Sequence, residues 1–167
     1  MKTILVCGGA GYIGSCMTAQ LVRGGYKVVA ADNLTTGHAA AVKGAELLIG
    51  DLRDGAFLDS VFEGRDITGV IDFAAYSQVG ESVSQPLKYY ENNMTSVMSL
   101  VAAMRRHGVR DLVFSSTAAV YGEPKAQPIE ETAATEPTNP YGATKLAVEA
   151  MLKWCAEAYG MKYAALR

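Results

Sequence analysis

Tyr141 and Lys145 stand four positions apart in Tyr141-Gly142-Ala143-Thr144-Lys145. On a helix, positions i and i+4 share a face, so a phenol and an ammonium lie side by side. A nearby ammonium favours the phenolate. A phenolate can take a proton from a hydroxyl while hydride leaves the same carbon. The lysine can also hold a ribose. Two exposed helix residues would read the same way, so the pair needs context. Ser115-Ser116-Thr117 supplies some of it, because the three hydroxyl residues follow an apolar run. Ligands of open α/β sheets bind outside the carboxyl ends of strands, where such hydroxyls belong. A Ser/Thr turn capping the next segment is the plainer reading of Thr117.

A departing hydride needs an acceptor. Gly8-Gly9-Ala10-Gly11-Tyr12-Ile13-Gly14 lies between an apolar run, Ile4 to Cys7, and a helical pattern. Glycines there let the backbone turn tightly and approach a pyrophosphate. The helix that follows offers unpaired N–H groups and the positive end of its dipole. Gly14 permits close packing of helix on strand. Asp32 closes the second apolar run, where a carboxylate would hydrogen-bond the adenosine ribose hydroxyls and repel the 2′-phosphate of NADP. No arginine stands at Asn33 or Leu34 to welcome that phosphate. The expected cofactor is therefore NAD.

The elements that must position these groups alternate along the chain. Strands are expected at Ile4–Cys7, Lys27–Ala31, Glu46–Ile49, Gly69–Phe73 and Asp111–Ser115, with a sixth from Tyr163 to Leu166. Helices are expected with Ile13, Met17, Leu21 and Val22 on one side, through Phe57 to Phe62, from Pro86 to Arg106, and from Tyr141 to Tyr159. The strands are continuous apolar runs, as in a parallel sheet covered on both faces. The expected fold is α/β, a doubly wound parallel sheet of Rossmann type with helices on both faces. The irregular stretch from Tyr121 to Asn139, with Pro124, Pro128 and Pro137, reads as a loop over the active site.

The 167 residues are 50% hydrophobic, enough for one well-buried core in a single domain. The formal net charge of −2 and the lack of a basic stripe point away from nucleic acid. No apolar run approaches the roughly 20 residues that span a bilayer. The run from Met1 to Val6 reads as a buried first strand rather than a signal peptide. Cys7, Cys16 and Cys155 have neither disulfide nor zinc spacing and read as reduced, mostly buried thiols of a cytoplasmic protein. His38 and His107 read as solvated loop histidines, and no metal site is expected.

With these motifs in place, the whole chain resembles the extended short-chain dehydrogenases/reductases. Within them it looks like the UDP-hexose 4-epimerases, through Gly9-Ala10-Gly11-Tyr12-Ile13-Gly14, Asp32-Asn33-Leu34, Val79-Gly80-Glu81-Ser82 and Tyr89-Tyr90-Glu91-Asn92-Asn93. Ser115-Ser116-Thr117-Ala118-Ala119-Val120-Tyr121-Gly122 and Asn139-Pro140-Tyr141-Gly142 carry the same likeness. The resemblance implies Thr117, Tyr141 and Lys145 as catalytic residues, with Thr117 and Tyr141 touching the sugar. It implies a cofactor site of Gly8, Gly11, Tyr12, Ile13, Gly14, Asp32, Asn33, Leu34, Thr35, Thr36, Gly37, Asp51, Leu52, Phe73, Ala74, Ala75, Asn92, Tyr141 and Lys145. In that site Asp51 looks like the residue that holds the adenine amino group, and Phe73-Ala74-Ala75 like the turn lining adenosine and pyrophosphate. Nucleotide-sugar 4,6-dehydratases place an Asp-Glu pair where this chain has Ala118 and Ala119, which cannot do acid/base work. Cys7 stands where the family usually has threonine, and Ser77 where some epimerases have a lysine.

The implied reaction is redox-neutral inversion at C4 of UDP-glucose or UDP-galactose through a 4-keto sugar, with NAD regenerated in place. The domain expected over residues 1–167 is the NAD-binding one; the C-terminal region with which the family binds its nucleotide sugar is expected to be absent from this chain. Alone, the chain is expected to bind NAD and show little or no turnover. A homodimer through the two long helices is implied by the resemblance, since Leu87, Tyr90, Met94, Val97, Met98, Val101, Met104, Leu146, Met151 and Trp154 exceed what one sheet face needs. Core packing is the other use for those side chains. Two other functional readings stay open: a 4-epimerase acting on a uronic acid or pentose nucleotide, and an NAD-binding module without turnover.

Overall fold

The computed structural model describes residues 2–124 and 126–167. Met1, in the N-terminal run, and Lys125, in the proline-bearing stretch, lie outside the described residues. Six parallel strands, β1 (Thr3–Cys7), β2 (Lys27–Asp32), β3 (Glu46–Ile49), β4 (Ile67–Asp72), β5 (Asp111–Ser115) and β6 (Lys162–Leu166), form one sheet in the order β3-β2-β1-β4-β5-β6. The order reverses direction between β1 and β4, which opens a crevice at their carboxyl ends.

Alternate strand residues face opposite sides of the sheet. Leu5, Cys7, Val29, Ala31, Val70, Leu112 and Phe114 share one buried cluster with side chains of α2 (Gly55–Phe62), α4 (Pro86–Arg106) and α5 (Pro140–Tyr159). Val6, Val28 and Ala30 point the other way and are buried on the side of α1 (Tyr12–Arg23). Full burial of a Leu or Phe contributes roughly 1.5–3 kcal/mol, and Leu5, Leu58, Leu100, Phe114 and Leu152 are all at 0% exposure. A short α3 (Val79–Ser84), absent from the sequence reading, precedes α4.

Local chemistry sets the helix phases. Asp54 accepts from Ala56 and Phe57 N–H at the start of α2. Asn139 caps α5 by accepting from Gly142 N–H at 2.8 Å, with Pro140 in the first turn. Gly160 ends α5 in the left-handed region at φ 65°.

Several expectations are corrected. The face of α1 pressed onto the sheet is Gly14 and Thr18, with Met17, Leu21 and Val22 half-buried, whereas Ile13 is 57% exposed. Cys16 is exposed, and Cys155 half-buried, so only Cys7 is a core thiol. His107 is exposed in the turn that caps α4, as expected of a loop histidine, and there its ring stacks on Phe62 at 5.2 Å and meets the Asp59 carboxylate at 3.0 Å. Of the apolar residues assigned to a dimer face, Val97, Val101 and Met104 turn into the core, while Leu87, Tyr90, Met98 and Trp154 are exposed. Among the described residues no helix is long and apolar enough to cross a membrane.

Candidate functional site

The glycine turn after β1 is shaped by two different demands. Gly8 has φ 69°, and its N–H donates to the Ala31 carbonyl at 2.8 Å, tying the turn to β2. A side chain on Gly14 would drive into the Gly8 carbonyl, so glycine is what lets α1 seat on the turn. Gly11 is different. A Cβ there would meet only the Gly8 oxygen, at 3.3 Å. The fold barely requires glycine at that position; a group approaching from outside would. Among the described residues no side chain caps α1 and no acidic residue occupies its first turn. Its leading N–H groups are open to an anion.

Gly8 and Gly11 line an open cleft at the carboxyl ends of β1, β2 and β4. Asp32, Asn33, Thr35, Thr36, Asp51, Leu52, Phe73, Ala74, Ala75 and Asn92 line it too, joined by Ala31, Gly50, Tyr76 and Ser96. Asp32 is 8% exposed and does structural duty there: its carboxylate accepts from Ala10 N–H at 2.9 Å and from Leu34 N–H at 2.8 Å. A carboxylate offers about four lone-pair directions, so two remain for a ribose diol. Leu34, at φ 58°, and Gly37, whose Cβ would stand 2.9 Å from an Asp32 oxygen, shape the loop without lining the cleft. Tyr12, Ile13 and Gly14 likewise sit at the start of α1 outside the lining. Arg53 chelates Asp51, with Nη2 to Oδ2 at 2.7 Å, and holds that carboxyl below its usual range.

The candidate catalytic residues gather at the carboxyl end of β5. The α-carbon of Gly142 packs so closely on the Ala119 carbonyl that an added Cβ would stand 2.7 Å from it. This docks the start of α5, with Tyr141, against the short 3-10 turn Ala118–Tyr121 that follows Thr117. The Thr117 hydroxyl accepts from Ala119 N–H at 3.1 Å, so the plain capping role is present. That bond uses a lone pair and leaves the hydroxyl proton free to donate. Lys145 is 3% exposed. Its Nζ donates to the Ser115 carbonyl at 2.8 Å and lies 4.6 Å from the centre of the Phe114 ring. Burial lowers its pKa to about 8, against the upward pull of Asp72. The lining of this cleft does not extend to Thr117, Tyr141 or Lys145.

Sequence reasoning passed over several residues of the site. Asn93 bridges three segments: its amide accepts from Tyr76 N–H at 2.9 Å and donates to the Tyr76 carbonyl at 3.0 Å and to Thr144 Oγ1 at 3.2 Å. Glu149 accepts from Ser116 Oγ and from Arg167, whose Nη2 lies at 2.6 Å; Arg167 also donates to the Tyr121 hydroxyl at 3.1 Å. Asp72 is a buried carboxylate ending an apolar strand. Its only signal in the sequence was a charge inside Gly69-Val70-Ile71-Asp72-Phe73.

Comparison with known proteins follows the same lines. Residues 4–167 match the NAD dependent epimerase/dehydratase family. A UDP-glucose 4-epimerase of Halalkalibacterium halodurans is 53% identical over 164 residues, covering 98% of this chain and 49% of that protein. One from Streptomyces lividans is 55% identical over 159 residues, covering 94% and 48%. The chain spans about half the length of the curated relatives it matches. Among solved structures, UDP-glucose 4-epimerase from Brucella ovis in complex with NAD superposes with TM-score 0.98 at 46% identity, covering 100% of this chain and 51% of that one. The enzyme from Bifidobacterium longum in complex with NAD⁺ and UDP gives TM-score 0.94 at 38% identity, covering 99% and 52%.

Proposed function

The chain belongs to the NAD dependent epimerase/dehydratase family, and from that premise we propose that it is the dinucleotide-binding part of an enzyme inverting C4 of a UDP-hexose. The observation that carries the reading is the Lys145–Ser115 bond, which holds the Lys145 ammonium of α5 at the end of β5. The relatives' activity on UDP-glucose supports the choice of sugar nucleotide.

The cleft fits NAD. Gly11 leaves room for a pyrophosphate, the uncapped start of α1 faces it, and Asp32 retains acceptor sites for a ribose diol while opposing a 2′-phosphate. Of the other residues expected at the cofactor, Asn33, Thr35, Thr36, Asp51, Leu52, Phe73, Ala74, Ala75 and Asn92 line the same cleft. NAD⁺, when bound, supplies reversible two-electron oxidation of the C4 hydroxyl to a ketone. Tyr141 receives the hydroxyl proton at its phenolic oxygen and returns it after the ketone has turned its other face. Thr117 donates its hydroxyl proton to the same sugar oxygen. Lys145 has three N–H bonds; one is spent on Ser115, and the others are available to the nicotinamide ribose. Ala118 and Ala119 offer no acid or base for loss of water, which favours epimerisation over dehydration.

The test is conversion of UDP-galactose to UDP-glucose by the chain extended to the length of its relatives. Tyr141→Phe is expected to keep NAD affinity and lose most turnover, with Thr117→Val less severe. Near-normal turnover in Tyr141→Phe would remove Tyr141 from the role of base. The protein is further proposed to be cytoplasmic and to pair through α4 and α5 about a two-fold axis. The exposed Leu87, Tyr90, Met98 and Trp154 support the pairing. A monomer by light scattering at micromolar concentration would refute it.

A further inference from the structure

Cys7, Asp72 and Phe114 form a row across β1, β4 and β5, each in register with the next. Parallel strands in register place such side chains on one face of the sheet. Cys7 and Phe114 both belong to the core under α2, α4 and α5, so Asp72 points into that core as well. It is 1% exposed. One carboxylate oxygen accepts from Ala74 N–H at 2.9 Å; the other, also buried, has no hydrogen-bond partner among the described residues. Lys145 arrives over the same row from α5, with Nζ above the neighbouring Phe114 ring.

We propose that Asp72 is a positioning residue for the proton-transfer pair: it is the buried counter-charge that keeps Lys145 an ammonium and couples it to the turn lining the cofactor cleft. This rests on the roles given above to Tyr141 and Lys145. A buried carboxylate with a vacant acceptor oxygen is costly as a structural element alone. Asparagine would cap the Ala74 turn equally well and carry no charge. What only the carboxylate supplies is a negative potential at Lys145, in a low-dielectric site where it is weakly screened. The ammonium so maintained supports the phenolate form of Tyr141, one helical turn away. Through the Ala74 bond, the same carboxylate sets the Phe73-Ala74-Ala75 turn against the cleft.

The titratable groups packed around the pair are few. Cys7 comes from β1, its thiol pushed up by burial and then by Asp72 and Asp32. Lys145 comes from α5. Among the described residues neither α4 nor β5 brings a charge that acts on Asp72 or Lys145. Burial raises the Asp72 carboxyl to about 6, Lys145 and the Ala74 N–H pulling it back, and burial lowers Lys145 to about 8. Between those values both groups are charged.

The experiment is NMR titration of the Lys145 side chain in ¹³C-lysine-labelled protein, with the signal assigned through Lys145→Arg. It is done without NAD or sugar, so its outcome is independent of whether the epimerase reading holds. In Asp72→Asn, which keeps the acceptor for Ala74, the Lys145 midpoint is expected to fall by about one pH unit or more. A purely structural Asp72 would change the melting temperature and leave that midpoint in place; an unchanged midpoint in folded Asp72→Asn overturns the proposal. The wild-type protein gives a second reading that needs no substitution. The Asp72 carboxyl carbon is expected to titrate near 6, below the Lys145 midpoint near 8, and titration of Asp72 above the Lys145 midpoint, which would leave it neutral wherever Lys145 is an ammonium, also overturns it.

Discussion

Asp32→Ala tests whether this carboxylate is a cofactor contact alone or also the fastener of the glycine turn. The Ala10 N–H that it accepts from belongs to a residue 2% exposed, so removing the carboxylate strands a buried donor. A hydrogen bond to a charged group contributes roughly 1.5–3 kcal/mol. The Leu34 N–H is half-exposed and can turn to water, which limits its share to about 1 kcal/mol. The expected loss is therefore about 2–4 kcal/mol, a large part of the roughly 5–15 kcal/mol that holds a domain folded. Asp32→Asn keeps one carbonyl oxygen but sets an amide N–H against one of the two donors, so it should fall between alanine and wild type. Urea unfolding followed by far-UV circular dichroism measures the loss. Calorimetry on the same samples should show NAD⁺ binding weakened at least roughly tenfold, with the preference over NADP⁺ narrowed. If Asp32→Ala unfolds within about 0.5 kcal/mol of wild type, the bonds to Ala10 and Leu34 are not holding the turn and the reasoning fails.

Gly11→Ala and Gly14→Ala should separate binding from folding. The first meets only the Gly8 oxygen and should keep the melting temperature while weakening NAD⁺ at least roughly tenfold; the second collides with the Gly8 carbonyl and should lower the melting temperature outright. Asp72→Asn should make stability less dependent on pH. Because burial raises the folded Asp72 carboxyl from 3.8 to about 6, its favourable contribution is complete only below the unfolded value and is lost as pH rises through about 6. Asp72→Asn should therefore match wild type near pH 4 and exceed it above pH 6, by up to roughly 3 kcal/mol; urea midpoints showing a pH-independent difference would contradict this. Glu149→Ala should cost about 2–4 kcal/mol, because Arg167 and Ser116 lose a carboxylate that is mostly buried, and Glu149→Gln should cost less. An unfolding midpoint of Glu149→Gln equal to that of wild type would show that the charge of Glu149 is idle.

The sequence alone determined the alternation of strands and helices, the strand-end placement of Gly8 to Gly14 and Asp32, and the shared face of Tyr141 and Lys145. Each is a matter of local spacing. Apolar runs bounded by glycine declare buried strands, and i and i+4 declare a face, whatever lies elsewhere in the chain. Tertiary structure decided what those residues touch. Asp32 reaches Ala10, 22 positions earlier, Asn93 reaches Thr144, 51 positions later, and Ser116 reaches Glu149, 33 positions later. The orientation of α1, which buries Thr18 and exposes Ile13 and Cys16, was equally beyond the apolar pattern, because close packing at Gly14 rather than the largest side chain chose the buried face. Asp72 shows the limit most clearly. Its letter is in the sequence, but its burial beside Lys145 comes from the register of β1, β4 and β5 and the docking of α5, and those are fixed only when the sheet and its helices close on one another.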